Sequence, residues 1–254
     1  MLTTDTGTLL FDPYVTRAPA MDDAEPLVSD TAAVAAYTPP RADVVLVGHS
    51  HFDHVLDVPA IARRTGATVV GTESTANLVR AGDVSSERIV VAHGGDTFQV
   101  GPFHVRAVAA LHALTGQKSE PIPPGLRLPL PARAYGEGGT LQYLVRIDGR
   151  TIFFVGTANF VEQNVRGLRP DVAVVAVGLR DKVPDYTCRL LRALGRPPLV
   201  LPNHFDDFRA PLRPGQLDLS AETRADLAAF AEEVHACAPS TRVEVPIPLR
   251  AIGL

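Results

Sequence analysis

The chain has 254 residues, 46% of them apolar and 20% charged, with a formal net charge of −4. That balance fits a globular protein able to bury a sizeable core, and it excludes fibrous and disordered classes. Mildly acidic and without a basic stripe, the chain offers nothing for nucleic acid or an anionic membrane surface, so a small-molecule substrate is the expected partner.

The opening residues, MLTTDTGTLLFDP, carry neither a basic stretch nor a long apolar run, so no signal peptide is read there. A strand is predicted over 8–11 and a valine-rich one over 43–48, followed by a helix over 55–65. A strand over 67–71, a helix over 73–81 and a strand over 88–92 come next. Around 96–110 the turn signal Gly101-Pro102 marks a hairpin whose second strand covers 103–110. Residues 113–140 stand apart, with five prolines between 121 and 131 and a glycine-rich end. A loop this long is a substrate lid, a partner-binding loop or an excursion covering a core edge. Strands over 141–147 and 151–155 form a second hairpin about Asp148-Gly149. The remaining elements are a helix over 159–166, a strand over 171–177, a helix over 184–194, a strand over 198–202, a helix over 220–236 and a strand over 242–247. Ser220 is the expected N-cap of the last helix.

No internal repeat or flexible linker divides the chain, so residues 1–254 are expected to form a single domain. No segment reaches the ~20 apolar residues of a membrane span. Hairpins combined with strand–helix units imply mixed sheets with helices outside, a layered αββα arrangement. Cys188 and Cys237 lack metal-site spacing and are expected to be free, partly buried thiols in a reduced, cytoplasmic protein. The oligomeric state is open.

The chemistry concentrates in HSHFDH, residues 49–54, directly after the valine-rich strand. His49 and His51, two positions apart at a strand end, can converge on one cation. Asp53 and His54 can turn toward a second point. Imidazole nitrogens and a carboxylate are donors that zinc, manganese or iron accept.

HSHFDH resembles the HxHxDH signature of the metallo-β-lactamase superfamily, with its apolar strand before and its helix after. The resemblance implies an α/β fold, a four-layer αββα sandwich. It implies that His49 and His51 hold a first metal with a later histidine, and that Asp53 and His54 hold a second with a last one. His112, ending HVRAVAALH, and His204, in LVLPNHFDDF, stand in the contexts of those two ligands. His93, His104 and His235 fit no ligand slot and are expected at the surface or in packing. Asp53 is the expected catalytic residue, orienting a metal-generated hydroxide and carrying a proton to the leaving group. Lactones, thioesters, phosphodiesters and β-lactams are the bonds the superfamily cleaves.

One position departs from the pattern. Where the family has Gly-Asp after a strand, this chain has Gly156-Thr157, in FFVGTANF. A neutral hydroxyl is a poor bridging ligand. Three outcomes follow: one firm Zn2+ on His49, His51 and His112; two metals bridged by hydroxide or substrate; or a nearby acid, Asp206 or Glu162, standing in. The expected cofactor is Zn2+, firmly held in the first place and weakly in the second, with Mn2+ and Fe2+ as alternatives. TLLFDPY and PNHFDDF are similar to the ascorbate-6-phosphate lactonase-like branch, where an aspartate such as Asp12 sits behind the metal histidines. Only eleven residues precede Asp12, so the first sheet edge is expected to be trimmed, or the chain's start late. Within 113–140, Arg127 and Arg133 are candidate anion contacts, and Tyr135, with Asn159, a candidate donor. The rival readings are a metal-binding scaffold without turnover and a redox-active diiron member of the same fold.

Overall fold

The computed structural model describes residues 1–18, 24–116 and 119–253. The N-terminal half runs β1 (Leu2–Thr3), β2 (Thr8–Phe11), β3 (Pro26–Leu27), α1 (Thr31–Tyr37), β4 (Val44–Leu46), α2 (Phe52–Val55), α3 (Val58–Thr65), β5 (Thr68–Gly71), α4 (Glu73–Ala81) and β6 (Ile89–Val91). The chain continues through β7 (Thr97–Val100), β8 (Phe103–Ala110), β9 (Leu130–Pro131), β10 (Thr140–Ile147), β11 (Arg150–Val155), α5 (Glu162–Val165) and β12 (Val172–Ala176). It ends with α6 (Tyr186–Ala193), β13 (Leu199–Asn203), α7 (Ala221–Cys237) and β14 (Arg242–Val243).

Two sheets result. The first has the order β1-β2-β4-β5-β6, and the second β14-β13-β12-β11-β10-β8-β7. Side-chain alternation makes the layers. Val44 and Leu46 point inward with Leu9 and Val70, against Phe103, Val105, Tyr143 and Phe154 of the second sheet. Val45, between them, points outward with Val69 onto Ile61, Ala62, Leu78 and Val79 of α3 and α4. On the far side, Phe153, Val155, Ala173 and Val175 meet Leu190, Leu191 and Leu194 near α6, and Phe230 and Val234 of α7. Strands covered on both faces read as unbroken apolar runs, and the expected αββα sandwich is the observed one. Truncating a fully buried residue such as Ile61 or Leu190 to alanine would cost about 2–5 kcal/mol. Tyr143 adds a polar tie, its hydroxyl donating to the Val47 carbonyl across the sheets at 2.8 Å, just before the histidine-rich loop.

Several elements differ from expectation for local reasons. The helix predicted over 55–65 is two helices, because Pro59 lies in the first turn of α3, where its missing N–H is tolerated. The strand predicted over 242–247 ends at Val243, short of Pro246 and Pro248, which cannot donate to a ladder. The helix predicted over 159–166 is the single turn Glu162–Val165. α1 was not anticipated, although Asp30 caps it by accepting from the Ala32 and Ala33 amides. The first sheet edge carries the short antiparallel pair β1–β2.

Of the 113–140 segment, the described part is stitched to the core edge. Ile122 donates to Ser74 Oγ, its carbonyl accepts from Asn77 Nδ2, and Leu130–Pro131 pair with Pro26–Leu27. Tyr135 is buried against Phe52 rather than open to a cleft, and Arg127 and Arg133 are exposed.

The cysteine expectation is overturned. α6 packs on α7, bringing Cys188 and Cys237 to a Cα separation of 5.5 Å, and their sulfurs are bonded. A separation of 49 residues leaves no local signal for the pairing. The reduced-thiol ground for expecting a cytoplasmic protein goes with it. Among the described residues, no helix is long and apolar enough to cross a membrane.

Candidate metal centre

The site is assembled at the end of β4. Val47 still donates to the Val70 carbonyl, and Gly48 then turns the chain out of the sheet, its amide donating to Asp12 Oδ1 at 2.5 Å. His51 is the N-cap of α2, its carbonyl accepting from the His54 and Val55 amides. That single turn sends Asp53 and His54 to a different side from His49 and His51.

Two groups of donors form. His49 Nε2 lies 3.1 Å from His51 Nδ1 and 3.1 Å from His112 Nε2. Asp53 Oδ2 lies 3.3 Å from His54 Nε2 and 3.2 Å from His204 Nε2. The donor atoms within each group are all within 4.8 Å of one another. The groups adjoin, with the His49 and His54 rings 3.8 Å apart at their centroids. The six residues singled out in the sequence therefore meet in one place, although His112 and His204 arrive from β8 and β13. His93, His104 and His235 are exposed elsewhere.

The donors suit a cation. Four ligands at 2.0–2.1 Å around a tetrahedral zinc stand about 3.3 Å apart, close to the spacings of both groups. His112 Nδ1 faces the Ala113 carbonyl at 2.7 Å and so must carry its proton. Its Nε2 then presents a lone pair to His49 Nε2. A proton on His49 Nε2 could be shared with only one of its two neighbouring nitrogens at a time, whereas a cation can meet all three.

Electrostatics separates the groups. Burial pushes His49 well below the usual histidine range, reinforced by the neighbouring His54, His112 and His51. Burial also lowers His112, with its bond to the Ala113 carbonyl acting the other way. His54 behaves oppositely. Burial would lower it, but the Asp53 and Asp12 carboxylates outweigh that and raise it to about 10. Burial would raise Asp53, yet the His54 charge and the hydrogen bonds from His204 and His54 hold it well below the carboxylate range. Without metal, Asp53 and His54 are an ion pair.

Asp12 stands behind His54, its Oδ2 2.9 Å from Nδ1. Two glycines make room for it. A Cβ on Gly156 would lie 2.0 Å from Asp12 Oδ2, and one on Gly48 2.8 Å. The orientation fits that of a carboxylate that fixes a ligand imidazole.

At the departing position, Thr157 is buried and its Oγ1 accepts the Ala113 amide at 3.1 Å. Neither candidate acid replaces it. Asp206 pairs with Arg17 at 2.6 Å, and Glu162 with Arg166 and Arg189. Asn159 spends its side chain beneath the site, Nδ2 donating to the His112 carbonyl at 3.0 Å.

Some contributors were not visible in the sequence. Asp57 is fully buried, and its carboxylate gathers the Val15 and Thr16 amides and the Thr16 and Ser29 hydroxyls, tying the segment after β2 to the start of α3. Glu137 accepts the Ser50 amide on its carbonyl and the Thr140 hydroxyl on its carboxylate, and its charge acts on His112. The GEGG run around Glu137 was the one available signal. Gly138, at φ +65°, passes so near Ser74 that a Cβ there would lie 2.2 Å from it.

Residues 8–205 match the model of the beta-lactamase superfamily domain. The chain belongs to this superfamily. Among its relatives, a UPF0173 metal-dependent hydrolase of Myxococcus xanthus is 30% identical over 213 residues, covering 81% of this chain and 71% of that protein. Another of the same description, from Roseiflexus sp., is 26% identical over 170 residues, 65% of each chain. This chain's match thus spans just under two thirds of the Roseiflexus relative's length. In three dimensions the superfamily fold is shared with the metallo-beta-lactamase fold protein YhfI from Bacillus subtilis. That likeness has a TM-score of 0.55 at 11% identity, covering 96% of this chain and 95% of that one.

Proposed function

We propose that this protein is a metal-dependent hydrolase that cleaves an ester-like bond, a lactone, thioester or phosphodiester, in a small molecule. The observation that carries this reading is the meeting of two adjoining donor groups, His49–His51–His112 and Asp53–His54–His204. The names of the UPF0173 relatives point the same way. Zn2+ is the cation that best suits three imidazoles in the first group, with Mn2+ or Fe2+ as alternatives. A divalent cation held by His49, His51 and His112 would supply Lewis acidity, acidifying a water at the site so that a nucleophile is available at neutral pH.

The protein's own part is orientation and proton handling. His112, fixed by the Ala113 carbonyl, and His49 on the strand-end loop supply donors that burial keeps neutral, and His51 completes the group. Asp53, anionic between His54 and His204, orients the attacking oxygen and stabilises charge next to it. Asp12 holds the His54 ring at the angle its Nε2 needs. The lactone member of the substrate set rests on the resemblance of TLLFDPY and PNHFDDF to the ascorbate-6-phosphate lactonase-like branch.

The test is metal analysis of the purified protein, followed by activity on p-nitrophenyl phosphodiester, lactone and thioester panels. Turnover that disappears on chelation and in His51→Ala is the expected result. A protein that binds metal yet turns over no member of any panel is a scaffold, and the proposal fails. Thr157 gives that second reading its footing, because its hydroxyl is committed to Ala113 where the family places a bridging acid.

A further inference from the structure

His204 is the least secured of the six donors. It follows β13 in left-handed backbone, φ +51°, and its side chain is 36% exposed, against 15% for Asp53 and 3% for His54. Its carbonyl is held by the Gly178 amide at 3.0 Å. The segment after it reaches back across the site. Phe208 packs edge-on against Phe52, the neighbour of Asp53, with centroids 6.1 Å apart. Asp206 receives Arg17 Nη1 at 2.6 Å, and the same nitrogen reaches the Asp207 carbonyl at 3.3 Å.

Arg17 is itself anchored. Its guanidinium lies over the Tyr14 ring, 5.8 Å from the centroid, and the two residues before it donate their amides to Asp57 Oδ2. Asp57 precedes α3, one short step from Asp53 and His54. A continuous path thus runs from α2, through Asp57, Thr16 and Arg17, to Asp206 and His204. The side chains of Arg17 and Asp206 are 13% and 31% exposed, so this ion pair is partly shielded from solvent.

We propose that Arg17 is a positioning residue for the second cation. Through Asp206 it sets where His204 stands, and so how tightly Asp53, His54 and His204 hold metal. This rests on the reading of the two groups as metal sites. The pair links residues 189 positions apart and touches no donor atom, so its effect is confined to one group.

The experiment strips the full-length protein with chelator and titrates it with Co2+, following visible d–d absorption and equilibrium binding. The wild type is expected to take up two equivalents in sequence. Arg17→Gln is expected to keep the first equivalent and its spectrum while weakening the second by about 10–100-fold. Asp206→Asn, which removes the partner charge at the half-buried end of the pair, is expected to do the same, and it carries the test if Arg17→Gln folds poorly. The charge swap, Arg17→Asp with Asp206→Arg, is expected to restore the second equivalent to within about threefold of wild type. A second equivalent unchanged in both single variants overturns the proposal, as does a swap without rescue or a loss shared equally by both equivalents. A wild type that binds one equivalent overturns this inference and leaves the first group standing. A wild type that binds none overturns the proposed function as well.

Discussion

The two donor groups lie side by side yet are built on different physics. The first is made of imidazoles, and burial pushes His49 and His112 toward neutrality, with the neighbouring histidines His54, His112 and His51 adding to the effect at His49. The second mixes a carboxylate with two imidazoles, traps a proton on His54 when empty, and includes the most exposed of the six donors, His204. The first group offers lone pairs with nothing to displace. The second must give up a proton and keep a loop in place. If both groups hold metal as proposed, that difference would make the first group the firm site and the second the adjustable one.

The sharpest way to break this comparison is to remove one donor from each group. His51→Ala should lower turnover at least about a thousandfold and abolish the first equivalent of bound metal. His204→Ala should spare that equivalent. Metal stoichiometry measured beside kcat separates the two, and equal losses would erase the distinction.

Acidity comes next. Because His54 is raised to about 10, a cation entering the second group competes with a proton. Affinity there should rise about tenfold per pH unit between 7 and 9, while the first group stays flat, as read by titration at several pH values. The metal-free fold should also lose stability in two directions. The raised His54 contributes stability fully below its ordinary 6.5, and this is lost as pH climbs toward 10. The depressed His49 contributes stability above its ordinary 6.5, and this is lost as pH falls. Chemical denaturation across pH should show both arms, and metal should flatten them.

A smaller effect is expected at Asp12. Asp12→Asn leaves every donor atom in place but weakens the hold on His54, and should cost about tenfold in affinity at the second group. Gly156→Ala should match it, because its methyl group takes the space of the Asp12 carboxylate. The smallest effect on the comparison is expected from Cys188→Ser. It should cost about 2–4 kcal/mol of stability in a denaturant melt and leave both metal affinities unchanged.

How much of this was legible in the sequence depended on range. HSHFDH announced itself because four donors fell within six residues after an apolar strand. The layers were legible because the strands around 44–47 and 172–177 read as unbroken apolar runs, as strands covered on both faces do, and hairpins stood beside strand–helix units. His112 and His204 were found only through family resemblance, since no local pattern ties them to residue 49. The Cys188–Cys237 bond and the Arg17–Asp206 pair left no trace, since each joins partners that only tertiary packing brings together. Helix ends were blurred where a proline changed the outcome, as Pro59 did between α2 and α3.

The threonine at position 157 has a consequence for what the cleft attracts. In the metal-free protein the proton on His54 balances the Asp53 carboxylate, so the six donors sum to zero; with that proton displaced they carry −1. One divalent ion in the first group would leave the cluster at about +2 and two would leave it at about +3, where an aspartate bridge would have removed a further unit. On the proposed reading, such a surplus, walled by low-dielectric protein, would draw negatively charged molecules from solution and favour esters that carry an anionic group over neutral ones.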